Sequence, residues 1–254
     1  MLIPPGHKVY FASDFHLGAP DAASSLQRER QIVRWLQEAG QDAAHIFLVG
    51  DLFDFWFEYK KVIPKGYSRI LGKLAELRDR GLEISVFTGN HDMWMGEYFE
   101  NELQIPVFTG PMEFSFNSKL FYVAHGDGLG PGDYGYKFMK RVFLSRFSRQ
   151  MFSGLHPSWG ISLANYFSRK SRKLVEKETF LGEDKEWLII HSRKILLQKH
   201  IDFFIYGHRH LPLDITLGEN SRYINLGDWM DYRSYAVFDG DSLQLKYYLP
   251  PDGI

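Results

Sequence analysis

The sequence predicts an α/β fold of the layered α+β kind, with sheets packed together and a helical insertion. Two observations lead there. Short apolar runs alternate with amphipathic helical patterns over much of the chain, and strand-like segments alone fill the tail. A basic, aromatic stretch then breaks that alternation between residues 134 and 173.

In chain order, KVYFAS (8–13) is rich in β-formers and reads as the first strand. Over 25–40, Leu26, Ile32, Val33 and Leu36 mark one face of a helix that stops at Gly40. IFLVGD (46–51) reads as a second buried strand. Over 67–81, Ile70, Leu71, Leu74 and Leu77 mark a second helix ending at Gly81. EISVFTGN (83–90), KLFYVAHGD (119–127) and IDFFIYGHRH (201–210) supply three more strands. The tail from Arg222 reads as short strands with a turn near Asp239 and Gly240. The insertion, 134–173, holds nine Lys or Arg, no Asp or Glu, and nine aromatic residues, and reads as two helices split near GLHPSWG. The layout divides the chain into a core formed by 1–129 and 196–254, with a cap inserted at 130–195.

Composition narrows the function classes. The 254 residues are 44% hydrophobic and 24% charged, ordinary for a soluble domain of this length. A net charge of -1 argues against a general nucleic-acid binder. With no cysteine, a disulfide scaffold, a thiolate zinc site and a cysteine nucleophile are all excluded, and a reducing cytoplasm is compatible. The opening MLIPPGHK lacks the pattern of a signal peptide. No run reaches the roughly 18 to 20 apolar residues that a spanning helix needs.

The chemistry lies where the apolar runs end. The first four lead into SDFH, VGDLFD, TGNHD and AHGD, and the fifth into YGHRH. The candidate ligands are Asp14, His16, Asp51, Asn90, His125, His208 and His210. In open α/β sheets, ligands bind at the carboxyl ends of strands, so these distant segments are expected to converge. Carboxylate, imidazole and amide oxygen together suit Mn²⁺, Fe²⁺ or Zn²⁺. Seven such groups exceed one tetrahedral site and match two ions sharing a carboxylate, the arrangement that clamps both oxygens of a phosphoryl displacement. Gly50, Gly89, Gly126 and Gly207 beside the ligands allow tight turns and close backbone approach. Singly, each motif has a plainer reading as a cap, a turn or a hydrogen-bonded core histidine. Five in succession, each after an apolar run, favour the metal site.

As a set, Asp14 with His16, Gly50 with Asp51, Gly89 through Asp92, His125 with Gly126, and Gly207 with His208 and His210 resemble the signature of the calcineurin-like metallophosphoesterase superfamily. The resemblance implies a double β-sandwich flanked by helices around a two-metal centre. It implies one ion on Asp14, His16, Asp51 and His210, and another on Asp51, Asn90, His125 and His208, with Asp51 bridging. GDLFDFW, HGDGLGPGDYGY, the basic aromatic insertion, GHRHLP and LGDW are further similar to the UDP-2,3-diacylglucosamine diphosphatase family of lipid A synthesis. That likeness implies cleavage of an acylated UDP-sugar to UMP and the acylated sugar phosphate. It also implies manganese as the usual metal and work at the inner face of the cytoplasmic membrane. Asp133 and Tyr136 match that family's Asp-x-x-Tyr.

The insertion is consistent with such a ligand on physical grounds, because a cationic, aromatic face suits an anionic amphiphile at a bilayer surface. Phe138, Met139, Val142, Phe143 and Phe147 fall near one helical stripe. The stripe either meets acyl chains or packs on the core. Arg169, Lys170, Arg172 and Lys173 are candidates for the diphosphate or the membrane. In one position the chain departs from the diphosphatases, which generally carry Arg after the ligand Asn. Here the residue is His91, a group suited to act as general acid toward an alkoxide, oriented by Asp92, or as a cation toward phosphate. A phosphomonoesterase or phosphodiesterase therefore stays open, as do a nuclease and an inactive metal-binding scaffold.

Overall fold

A computed structural model describes residues 1–132, 134–174 and 179–249, apart from the side chains at 165, 167 and 169–174. The first half runs β1 (Lys8–Ala12), α1 (Ala22–Ala39), β2 (Ala43–Val49), α2 (Ser68–Asp79), β3 (Glu83–Phe87), the one-turn α3 (Tyr98–Asn101) and β4 (Val107–Phe108). A hairpin, β5 (Met112–Phe116) and β6 (Lys119–Ala124), leads into α4 (Tyr134–Phe143), α5 (Arg146–Ser153) and α6 (Pro157–Leu174). The chain ends with α7 (Trp187–Leu196), β7 (Phe203–Tyr206), β8 (Pro212–Leu217), β9 (Ser221–Leu226), β10 (Ser234–Phe238) and β11 (Leu243–Tyr247).

The strands form two sheets, ordered β11-β10-β1-β2-β3-β4 and β5-β6-β7-β9-β8. In the first sheet β1, β2, β3 and β4 run parallel, with β10 and β11 antiparallel on the β1 side; in the second, β6, β7 and β9 run parallel between antiparallel β5 and β8. Alternation along β1 explains the layers. Val9 and Phe11 face the second sheet, while Tyr10 and Ala12 face α1 and α2. Between the sheets the Phe11 ring stacks on Phe47 at 5.1 Å and on Phe121 at 5.7 Å. Each such buried ring contributes roughly 1.5–3 kcal/mol. The double β-sandwich with helices on its outer faces is thus the fold observed.

Helix α1 starts three residues before the expected Ser25, because the Asp21 side chain caps it by accepting from Ala23 and Ser24 N–H. Two charged residues on α1 are buried. Arg28 donates to the carbonyls of Phe15, His16 and Ala19 and holds the loop after β1. Glu29 accepts from the N–H groups of Arg69 and Ile70, capping α2 from outside, where Tyr67 offers no side-chain cap. The apolar face expected for α2 is the buried one: Ile70, Leu71, Leu74 and Leu77.

The insertion differs from expectation in two ways. It has three helices rather than two, because the Ser145 hydroxyl accepts from Ser148 N–H and starts α5 anew. It is also shorter than 130–195. Leu188 and Ile189 of α7 are fully buried against Tyr122, Phe204 and Tyr206 of the second sheet, so α7 is a core helix. We therefore assign the cap to α4, α5 and α6.

Candidate metal centre

Five loops at the carboxyl ends of parallel strands meet at one rim of the sandwich. β1 delivers Asp14 and His16, β2 Asp51, and β3 Asn90 to Asp92. From the second sheet, β6 delivers His125, and β7 delivers His208 and His210. The loops are laced together: Asp14 N–H donates to Gly50 O, His16 N–H to Asp51 O, and Gly207 N–H to His125 O. Asp14, His16, Asp51, His208 and His210 all have positive φ, between 44° and 67°. Such backbone costs energy and persists only where the surroundings enforce it.

The seven side chains form two groups. Ligand atoms of Asp14, His16, Asp51 and His210 lie within 4.8 Å of one another, and so do those of Asp51, His125 and His208. Asn90 joins the second group, its Oδ1 3.3 Å from His125 Nε2. Asp51 belongs to both. His125 Nε2 is 3.3 Å from Asp51 Oδ2, His210 Nε2 is 3.2 Å from Asp14 Oδ1, and His16 and His210 bring their Nε2 atoms to 3.0 Å.

These groups fit divalent ions. Asp14 and Asp51 are buried, and each offers one oxygen to a main-chain N–H, of His208 and His91 respectively. The other oxygen of each, Oδ1 of Asp14 and Oδ2 of Asp51, has no hydrogen-bond partner. These two buried oxygens face His210 Nε2 at 3.2 Å and His125 Nε2 at 3.3 Å, so each site needs positive charge, supplied by a divalent ion or, without one, by protons on the rings. His125 Nδ1 lies 2.9 Å from Val49 O, an acceptor only, so Nδ1 carries the hydrogen and Nε2 presents a lone pair in the neutral ring. Two glycines make the convergence possible. A Cβ on Gly89 would sit 2.2 Å from Asp51 Oδ1, and one on Gly50, at φ +83, 2.4 Å from the His125 ring.

The family model described as calcineurin-like phosphoesterase matches residues 7–212. The chain belongs to that family. Among calcineurin-like phosphoesterases it is similar to proteins named UDP-2,3-diacylglucosamine hydrolase. That of Porphyromonas gingivalis is 39% identical over 257 residues, covering 94% of this chain and 97% of the relative. That of Aeromonas salmonicida is 29% identical, covering 89% and 88%, and that of Neisseria gonorrhoeae 25% identical, covering 96% and 98%.

Electrostatics divides four of the phosphoesterase's rim histidines into two kinds. Burial pulls His16 and His208 down to about 4, leaving both rings neutral. Burial also opposes charge on His125 and His210. There, nearby carboxylates outweigh it, Asp51 raising His125 to about 10, and Asp14 with Asp228 raising His210 to about 11. Without metal these two rings hold protons that a cation must displace. Affinity for Mn²⁺ is therefore expected to rise with pH from 6 to 8, by about tenfold per pH unit per proton displaced. Calorimetry in buffers of different ionisation enthalpy should find about two protons released per chain at pH 7. Binding without proton release would contradict this charge assignment.

The structure changes one expected role. Asp92 does not orient His91. Its fully buried carboxylate accepts from the N–H groups of Leu52 at 2.8 Å and Gly89 at 2.7 Å, with Asp51 and Phe53 at 3.4 Å. Burial first, then the Asp51 charge, push that carboxyl up to about 7. Asp92 is thus a clamp between the loops after β2 and β3. Successive side chains leave a loop in different directions, and the one facing His91 belongs to Asp54. His91 Nδ1 lies 3.1 Å from Asp54 O and 3.6 Å from Asp54 Oδ1, while Ser168 of α6 donates to Asp54 Oδ2 at 2.8 Å. Asp54→Asn is expected to lower kcat roughly 10-fold to 100-fold with two ions still bound, since it disturbs an orienting group and no metal ligand. Loss of metal in that variant would move Asp54 into the ligand set. Asp228, within LGDW, does similar work for His210, its Oδ2 3.4 Å from Nδ1.

The cap adjoins this rim. Tyr136 Oη and Lys140 Nζ both reach Asp127 Oδ2, next in sequence to Gly126, and the Tyr136 ring lies 6.5 Å from that of His208. Trp94 Nε1 donates to Phe143 O at the end of α4, and Phe152 of α5 packs on Phe57 and Trp94. Asp133 lies outside the described residues, as do the side chains of Arg169, Lys170, Arg172 and Lys173, whose backbone continues α6. The stripe is mostly exposed, although Phe143 meets the Trp94 ring edge-on at 6.0 Å. Neither α4 nor α5 has a buried residue; Phe138 is 70% exposed and Phe147 72%. Lys137 and Lys140 turn inward to Gly130 O and Asp127, so α4 carries two cations on its core side and apolar groups outside.

Proposed function

We propose that this phosphoesterase hydrolyses UDP-2,3-diacylglucosamine to UMP and 2,3-diacylglucosamine 1-phosphate in lipid A biosynthesis. The near full-length likeness to the hydrolase of Porphyromonas gingivalis carries this reading, and the rim cluster supports it. In this proposal Asp14, His16, Asp51 and His210 hold one divalent ion, Asp51, Asn90, His125 and His208 hold the other, and manganese is the metal. Bound there, the ions supply positive charge to activate the attacking water and to stabilise the phosphoryl oxygens.

The chain's own groups do the rest. Water adds to the UMP-side phosphorus, and the bridging oxygen departs with the sugar phosphate. His91, its Nδ1 held on Asp54 O, keeps Nε2 for the leaving phosphate, as a cation or a proton donor. Asp92 fixes the loops that carry Asp51 and Asn90. Tyr136, with Asp133, Arg169, Lys170, Arg172 and Lys173, would engage the substrate from the cap. The exposed stripe of α4 and α5 would meet acyl chains and the cytoplasmic leaflet of the membrane. Among the described residues no helix is long and apolar enough to cross a membrane.

The deciding assay supplies Mn²⁺ and compares UMP release from the acylated UDP-sugar with hydrolysis of a simple aryl phosphodiester. Preference for the simple ester would move the protein to the phosphodiesterase reading, which His91 in place of Arg keeps open. For the membrane role, Phe138→Glu with Phe147→Glu is expected to weaken sedimentation with anionic vesicles by at least about tenfold. Equal binding by both proteins would remove that role.

A further inference from the structure

We infer, on the reading that His208 and His210 hold metal, that a buried pair, Arg209 and Glu186, positions both histidines by tying their loop to the segment returning from the cap. Arg209 stands between the two. Its guanidinium makes two 3.0 Å hydrogen bonds to Glu186, Nε to Oε2 and Nη2 to Oε1. It also donates to Thr179 O at 3.1 Å and lies 4.6 Å over the Trp187 ring. Both partners are buried, Glu186 completely. Glu186 directly precedes α7, and its Oε1 also accepts from Leu181 N–H at 3.1 Å.

One guanidinium thus binds the start of α7 and the stretch that joins the cap to the core. The rest of the loop is held elsewhere: Asn225 Nδ2 donates to Gly207 O, and His208 N–H to Asp14 Oδ2. Those bonds fix where the loop starts. Arg209 fixes how the chain turns between two ligands at φ 67° and 46°, so a shift at 209 moves both rings. A planar, bidentate guanidinium suits that task, since it sets direction as well as distance. Buried ion pairs contribute little to stability beyond what apolar replacements would give, and their best-attested use is fixing one arrangement among several. The coupling runs in both directions. Metal at the rim stiffens residues 179–187, and disturbance of those residues weakens metal binding.

The test is Glu186→Gln, which retains the shape and removes the charge, with Arg209→Lys as the second variant should the first fail to fold. Mn²⁺ affinity, read from the electron paramagnetic resonance of free ion, is expected to fall about 10-fold to 100-fold. Saturating Mn²⁺ should restore kcat to within a few-fold. Leu74→Ala, in the core between α1 and α2, should lower Tm while leaving Mn²⁺ affinity unchanged. Amides of 179–187 should exchange more slowly with Mn²⁺ than with chelator in the natural protein, and the difference should vanish in Glu186→Gln. Unchanged Mn²⁺ affinity in Glu186→Gln, or a loss matched by Leu74→Ala, overturns the clamp alone. Failure of the natural protein to bind two Mn²⁺ per chain overturns the ligand reading and the clamp with it.

Discussion

Asp51→Ala is expected to lose both metal ions and to lower turnover on the order of 10⁴-fold or more. Among the described residues, Asp51 alone joins the group of Asp14, His16 and His210 to that of His125 and His208. Its orphaned Oδ2 faces His125, and its Oδ1 also holds the His91 N–H, so truncation removes a shared carboxylate and frees the loop that carries His91. Asp14→Ala touches one group only, so one ion should persist there. Elemental analysis of dialysed protein beside UMP release separates the cases. An Asp51→Ala protein that keeps two ions and near-normal turnover would end the two-metal reading.

Gly89→Ala should fall next, on the order of 100-fold in kcat/KM, although it adds one methyl and removes no ligand. The new Cβ would lie 2.2 Å from Asp51 Oδ1 and 2.7 Å from both Asp51 Cγ and its main-chain N. Neither side can yield cheaply, because Asp92 binds Gly89 N–H on one side and Leu52 N–H on the other. A displacement near 1 Å at a reacting centre costs about 10²-fold in rate. Gly72→Ala is the control: it lies in α2 with nothing within 4 Å of the added carbon, and should leave turnover unchanged while favouring the helix. Turnover equal to the natural protein's in Gly89→Ala would show that the loops have room this geometry denies them.

How far the sequence could be read follows from what each signal depends on. The convergence of the rim residues is legible because strand ends announce themselves through the apolar runs before them, and because Asp, His and Asn recur at those ends. The role of Asp54 is not. It lies three residues after Asp51, and its facing of His91 arises only once the loops after β2 and β3 fold together. Adjacency to His91 suggests an orienting task for Asp92, but its carboxylate turns to the N–H groups of Leu52 and Gly89, and Asp54 faces His91 instead. Arg28 and Glu29 resemble a solvated helix face, as such residues usually are, and only the packed fold reveals their buried acceptors and donors. In the cap, the apolar stripe continues past residue 144, so the break at Ser145 rests on one hydroxyl that periodicity does not register. Helix α7 escaped for a related reason: Leu188, Ile189 and Ile190 run together and give no clear one-sided pattern.

The left-handed backbone of five rim residues bears on any attempt to redesign the centre for a softer ion. Asp and His are among the few non-glycine residues that visit this conformation readily. At 14, 16, 51, 208 and 210 the group proposed to coordinate and the permitted main-chain shape therefore select the same amino acids. A thiolate introduced at one of them would meet main-chain resistance before its sulfur could compete for a cation. Asn90 and His125 lie outside that set, and exchange of donor atoms has the most freedom there.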